Sequence, residues 1–256
     1  MSEWHGVGRA YEASYASLCA GTADAILAGL GPAGSRTLLD VGAGTGALAA
    51  RLADAGWLVT ACEPEPSMRE ICADRHPSLP LIDGALPGLP IPTGAYDAVA
   101  ANFVLNHVPD PRAAAREMAR VAKPGAALVA SVWTLSPSWF WAAVCERAGL
   151  PAAVGHRLPA DKDFERTATG FGRMLAEGGW HSVQVTELSW TWEASPETLW
   201  ASAAGGVASA GVFYLSLSGH DRSRFREAFD HLCDEFSVDD RIELEHTAAV
   251  AVGLAG

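Results

Sequence analysis

Apolar positions along the chain fall into short runs of strand length, separated by stretches in which they recur at helical spacing. Residues 37–41, 57–62, 79–82, 96–101 and 126–133 form the apolar runs, and residues 46–55, 65–75 and 111–121 carry the helical pattern between them. A leading helix is predicted over residues 9–29, with Ala10, Ser14, Ser17, Leu18, Ala25 and Ile26 available for packing. Strand–helix alternation of this kind implies a parallel sheet with helices on both faces. Ligands of such sheets lie beyond the C-terminal strand ends, where the winding reverses. Past Trp133 the pattern loosens. A helical piece spans Trp139 to Ala148, and a helix from about Asp163 to Glu177 stops at Gly178-Gly179. Residues 182–192 alternate like a strand, through Val183, Val185, Leu188, Trp190 and Trp192. Ser195-Pro196-Glu197 signals a helix start, and a second helix carries Phe225, Phe229, Leu232, Cys233 and Phe236. A closing strand runs from about residue 243 to 252.

The first apolar run ends in Asp40-Val41-Gly42-Ala43-Gly44-Thr45-Gly46, three alternating glycines that open the next helix. A turn with so few side chains lets a ligand lie against main-chain N–H groups. Glu63 lies 21 residues past Gly42, at the end of the second run. An acid at that spacing is placed to hold a ribose by its hydroxyls. These features predict an adenosine-containing cofactor. Taken alone, the glycines also fit the dinucleotide pattern, with Ala47 in the third glycine place, so NAD stays open at this point.

The segments beyond the turn decide between cofactors. Asp83-Gly84-Ala85 closes the third run, and the proline-rich loop from Leu86 to Pro92 comes next. Then come Asn102-Phe103, Asn106-His107-Val108-Pro109-Asp110-Pro111, and Lys123-Pro124-Gly125 before the fifth run. This series resembles the class I S-adenosylmethionine (SAM)-dependent methyltransferases of the UbiE-like small-molecule group. The specific part covers residues 38–133, with weaker similarity over nearly the whole chain. Gly84 stands where the family pattern has Ala, Asn106 where it has His, and Ala126 where it has Gly.

The resemblance implies an α/β, Rossmann-like, doubly wound seven-stranded sheet of order 3-2-1-4-5-7-6, the last strand antiparallel, with helical cap insertions. It implies a single methyltransferase domain over 1–256: an N-terminal helical cap (1–35), a SAM-binding core (36–133), and substrate-cap insertions (134–178 and 195–240). SAM is the implied cofactor and S-adenosylhomocysteine its product. Gly42, Gly44 and Gly46 pass under the methionine and ribose, and Asp40 orients the turn or meets the amino group. Glu63 accepts both ribose hydroxyls, and Pro64 and Met68 touch the adenine face. Asp83 accepts from the adenine amino group while Gly84 or Ala85 donates to the ring. Asn102 and Phe103 line the cofactor pocket, and Tyr15 reaches the methionine end or else caps the core. Tyr11, Asn106, Trp133, Trp139 and His156 are expected at the acceptor side. Phe140 and Trp141 join the aromatic crowd there, as a flat apolar pocket or as ordinary core. His107 is the candidate base, against a packing role; methyl transfer needs a base only for an acceptor that arrives protonated. Tailoring of a secondary metabolite is the expected setting. A SAM-bound cyclase or lyase on the same fold is the alternative, since fold does not fix chemistry.

Composition narrows the partners. The 256 residues suit one domain with a full core, 49% hydrophobic and 19% charged. Net charge is −12, and Lys123 and Lys162 are the only lysines, which disfavours a nucleic-acid substrate. Arg222, Arg224 and Arg226 read as the solvated side of a helix. No apolar run reaches the roughly 20 residues of a membrane span, and the start lacks a signal-peptide layout. A small-molecule substrate, a cytoplasmic location and a monomer or homodimer are expected. Five cysteines without paired spacing read as reduced thiols, and no metal is expected.

Overall fold

The computed structural model describes residues 4–136, 138–153, 155 and 158–256. Strands β1 (Thr37–Val41), β2 (Leu58–Cys62), β3 (Leu81–Ile82), β4 (Tyr96–Asn102) and β5 (Ala122–Leu135) begin a sheet completed by β6 (Trp180–Ala194) and β7 (Ile242–Ala255). Its order is β3-β2-β1-β4-β5-β7-β6, and the sheet is mixed. The expected order holds. β1 pairs in parallel with both β2 and β4, so Leu38, Leu39, Asp40 and Val41 are buried on both faces. Burial of both faces is why this strand reads as a continuous apolar run rather than an alternating one.

Helices cover the sheet: α3 (Ala23–Leu30), α4 (Ala47–Asp54), α5 (Pro66–Arg75) and α6 (Pro111–Val121). Two of them begin with a side-chain cap and proline in the first turn. Glu65 accepts from the Ser67 N–H before α5, and Asp110 from the Ala113 N–H before α6. Their buried faces carry Met68 and Cys72 on α5, and Ala114, Ala115, Met118 and Val121 on α6.

By packing, the chain divides into two units. Residues 19–134, 158–188 and 247–256 form the sheet unit; residues 1–18, 135–157 and 189–246 form the second. The expected single domain and the cap boundaries at 35 and 178 differ from this partition. Residues 19–35 belong with the sheet. So does α8 (Ala168–Glu177), whose Phe171, Met174 and Leu175 are fully buried in the same core as α6. Trp180 fixes the neighbouring chain by donating from Nε1 to the Ala115 carbonyl at 3.0 Å.

The leading segment is not one helix. It divides into α1 (Gly8–Glu12), α2 (Tyr15–Cys19), a 3₁₀ turn (Ala20–Thr22) and α3. The Ser14 hydroxyl donates back to the Ala10 carbonyl at 2.5 Å, and the Thr22 hydroxyl to the Cys19 carbonyl at 3.2 Å, at the two breaks. The second unit also holds α7 (Ser138–Arg147), α9 (Pro196–Ala204), α10 (Ala208–Ser216) and α11 (Gly219–Phe236). Three helices therefore stand between β6 and β7, where the sequence pattern implies a pair. Their interior is aromatic. Phe225 and Phe229 are fully buried and stack on Trp141, with ring centroids 6.0 and 5.8 Å apart and interplanar angles of 8° and 15°. Among the described residues, no single helix is long and apolar enough to cross a membrane.

Candidate cofactor site

Strand tips of the sheet unit assemble this site. Beyond β1 the chain turns back at once, with Gly42 and Ala43 N–H groups donating to the Cys62 carbonyl of β2 at 2.7 and 3.1 Å. Gly42 has φ +68°, and a Cβ there would overlap Val104 Cγ2. Gly46 has φ +87°, and a Cβ there would lie 2.5 Å from Cys72 Sγ and 2.9 Å from the His76 ring. Both steric space and backbone conformation demand glycine at these two positions. The result is a bare main-chain shelf at the start of α4.

Glu63 faces that shelf. Its carboxylate is buried, 7% exposed, and accepts from the Gly44 N–H at 2.9 Å through Oε2 and from the Glu65 N–H at 2.9 Å through Oε1. Burial pushes its pKa up, and the two N–H bonds oppose that shift. Each carboxylate oxygen keeps a further lone pair for a ligand hydroxyl. Asp40 lies at the end of β1, 1% exposed, and its Oδ2 is buried without a hydrogen-bond partner. Burial, then the charge of Glu63, push its pKa up to about 8. A pair of acids held in so dry a place is suited to a ligand that brings positive charge and donors.

The β3 tip adds Asp83, Gly84 and Ala85. Asp83 is exposed, and its carboxylate accepts from both terminal nitrogens of Arg69 at 3.0 Å. At Gly84 an added Cβ would fall 2.8 Å from Cys62 Sγ and 2.9 Å from Pro90 Cδ. Cys62 and Pro90 thus occupy the space an alanine would need, which accounts for the departure from the family pattern there. Met68 is buried on α5, and Pro64 is exposed beside Glu63.

At the β4 tip, Asn102 acts as a bracket. Its Oδ1 accepts from the Thr22 hydroxyl at 2.7 Å and from the Ser131 hydroxyl, while Nδ2 donates to the Cys19 carbonyl at 3.0 Å. These bonds leave it little capacity for a ligand, so its side chain serves the framework first. Phe103 is buried with φ 56°, donates its N–H to Ser131 Oγ, and stacks on Trp133 at 3.7 Å. Asn106 Oδ1 is buried without a partner. His107 is exposed, yet protein surrounds the ring closely, and burial with the nearby Arg166 guanidinium pushes its pKa down to about 4.

The remaining expected residues lie in the second unit or outside the described residues. Tyr15 Oη accepts from Trp141 Nε1 and from the Ser202 hydroxyl, both at 3.3 Å. Tyr11 packs edge-on to Trp4. Trp139 is 46% exposed and meets Phe140 and Phe236 edge-on. Phe140 and Trp141 belong to the aromatic packing of their own unit. His156 lies outside the described residues. Thr22, Ser131 and Arg69 carry no signal in the sequence, because each acts through a partner far away or on another element.

Comparison with known proteins agrees with this geometry. Residues 39–130 match the family model described as a methyltransferase domain. The demethylmenaquinone methyltransferase of Beutenbergia cavernae is 36% identical over 180 residues, covering 64% of this chain and 74% of that protein. That of Paenarthrobacter aurescens is 38% identical over 104 residues, so the match spans 40% of this chain and about two fifths (41%) of the relative. The phosphoethanolamine N-methyltransferase 2 of Haemonchus contortus, solved with phosphomonomethylethanolamine and S-adenosylhomocysteine, superposes with a TM-score of 0.52 at 15% identity, covering 91% of this chain and 52% of that one. The chain belongs to the class I SAM-dependent methyltransferases, in their UbiE-like group, and SAM is the cofactor of that class.

Proposed function

We propose that the protein transfers the methyl group of SAM to an oxygen or nitrogen of a small, partly apolar metabolite, by in-line displacement. The observation that carries this is the buried Glu63 carboxylate set across the glycine shelf, beside the unpartnered oxygen of Asp40. When bound, SAM supplies a methyl group on a sulfonium whose departure as a thioether needs no proton.

The chain's own part is to bind, orient and keep water out. Glu63 accepts the two ribose hydroxyls, each bond worth about 1.5–3 kcal/mol net when the acceptor is charged. Gly42, Gly44 and Gly46 admit the methionine and ribose against main chain, and Asp40 meets the amino group or steadies the turn. Asp83 and the Gly84 or Ala85 N–H read the base, with Met68 and Pro64 along its face. Asn102 holds the β4 tip in place for Phe103. Alignment of this type is worth roughly 7–11 kcal/mol of barrier.

Asn106, His107 and Trp133 stand at or just past strand tips of the sheet unit, and we assign these three to the acceptor side. His107 is neutral at physiological pH but a weak base, since its pKa is pushed down to about 4. It suits hydrogen-bonding of an acceptor better than removing a proton from an alcohol or ammonium.

Incubation with methyl-labelled SAM and a panel of phenols, amines, carboxylates and demethylmenaquinone tests the reading. Labelled product and S-adenosylhomocysteine should appear together, and Glu63→Ala should abolish detectable SAM binding in calorimetry. SAM bound but never consumed while the acceptor changes would point instead to a cyclase or lyase. Unchanged affinity in Glu63→Ala would overturn the site.

A further inference from the structure

Arg69 sits on the first turns of α5, six residues past Glu63. Its Nη1 donates to the Glu63 main-chain carbonyl at 2.8 Å and to Asp83 Oδ1 at 3.0 Å, and Nη2 donates to Asp83 Oδ2 at 3.0 Å. One guanidinium thus ties the tip of β2 to the tip of β3. The arginine side chain is 21% exposed, whereas that of Asp83 is 71% exposed. An exposed aspartate would otherwise rotate freely and lose that freedom on binding. The planar fork fixes the carboxylate plane, and each oxygen retains a second lone pair. The next residue, Gly84, is closely packed by Cys62 and Pro90, so the main chain that carries Asp83 is held on its C-terminal side as well.

We propose that Arg69 is a positioning residue for recognition of the cofactor's base: it aims Asp83 to accept from the exocyclic amino group of adenine, and so sets discrimination between 6-amino and 6-oxo purines. This rests on the assignment of the Glu63–Asp83 crevice to the nucleoside of SAM. A bare surface ion pair contributes little and is indifferent to ligand chemistry. The bidentate geometry and the third bond to the Glu63 carbonyl distinguish this one. A 6-oxo purine presents an acceptor to the fixed carboxylate, and two acceptors face to face repel.

Calorimetry with S-adenosylhomocysteine and its 6-oxo counterpart S-inosylhomocysteine tests the proposal on wild type, Arg69→Met, Arg69→Lys and Glu63→Gln. Wild type should favour the adenosyl ligand by roughly tenfold or more, the size of one charge-assisted hydrogen bond. Arg69→Met should lose most of that preference while holding the inosyl ligand within about twofold. Arg69→Lys, which keeps the charge without the fork, should fall between. Glu63→Gln should weaken both ligands alike, because the ribose is common to them. An unchanged ratio in Arg69→Met, or equal losses for both ligands, overturns the proposal alone. Should Arg69→Met fail to fold, the Arg69→Lys ratio decides in the same way. Failure of wild type to bind either nucleoside overturns the site assignment and the proposal with it.

Discussion

Replacing Asp40 with asparagine removes one titrating proton from the centre of the sheet while keeping the shape of the side chain. Its carboxyl has an ordinary value of 3.8 and is raised to about 8, chiefly by burial and then by Glu63. An acid whose folded pKa lies above its unfolded one binds more protons in the native state than in the unfolded state between those two values. Stability therefore falls as pH rises through that window, and the loss is complete above the folded pKa. Between pH 5 and 8 the full shift corresponds to about 3–4 kcal/mol, at 1.36 kcal/mol per pH unit. Relaxation and water entry around a newly ionised buried group reduce this, and about 2 kcal/mol is the working expectation. Urea unfolding of wild type and Asp40→Asn at pH 5, 6, 7 and 8, without cofactor, measures it. Groups common to both proteins cancel in the difference. Wild type should lose ground against the variant steadily as pH rises, whatever the absolute offset at pH 5. A difference flat with pH would refute the reasoning, because it would mean that Asp40 is already ionised in the folded protein.

Asn102→Ala removes one donor to the Cys19 carbonyl and the acceptor shared by the buried hydroxyls of Thr22 and Ser131. A loss of about 2 kcal/mol is expected in chemical denaturation, and wild-type stability would show that the bracket carries no load. For His107, a folded pKa pushed down to about 4 means the ring is neutral from pH 6 to 8 and gains its proton only as pH falls well below its ordinary value of 6.5. The pH–rate profile of His107→Gln should therefore keep the wild-type shape over that range. A wild-type inflection near pH 6.5 that vanishes in the variant would show that the histidine titrates as a working base.

The cofactor half of the fold is legible in the sequence because its signals are local. The glycine turn, the cap-plus-proline start at Asp110-Pro111 and the apolar run of β1 each state their conformation within a few residues. The features that escape depend on distant partners. In residues 9–29 the local signal for a break is slight, a single interior Gly21 among alanines and serines that tolerate helix; the 3₁₀ turn at Ala20–Thr22 lies where Asn102, some eighty positions on, takes hold of the Cys19 carbonyl. Helix α8 reads as part of a cap because an apolar stripe does not name the surface it meets, and its partner α6 lies far upstream. Helix α10 leaves no trace in the pattern because ASAGVFYLS has no polar face to give it a period, and because Ala208 begins it at φ 55°. At the site, Glu63 and Asp83 can be placed from spacing at strand ends. The role of Arg69 needs the three-dimensional approach of α5 to β3.

The aromatic unit is assembled from three separated stretches, 1–18, 135–157 and 189–246. No single truncation can release it, and no single crossover can transplant it. An engineer wishing to exchange the interior of this unit for a relative's must move all three pieces together, or leave stacked rings such as Trp141 and Phe225 facing strangers. Piecemeal chimeras should therefore aggregate more often than complete ones, while the cofactor shelf, carried wholly on the other unit, tolerates the exchange.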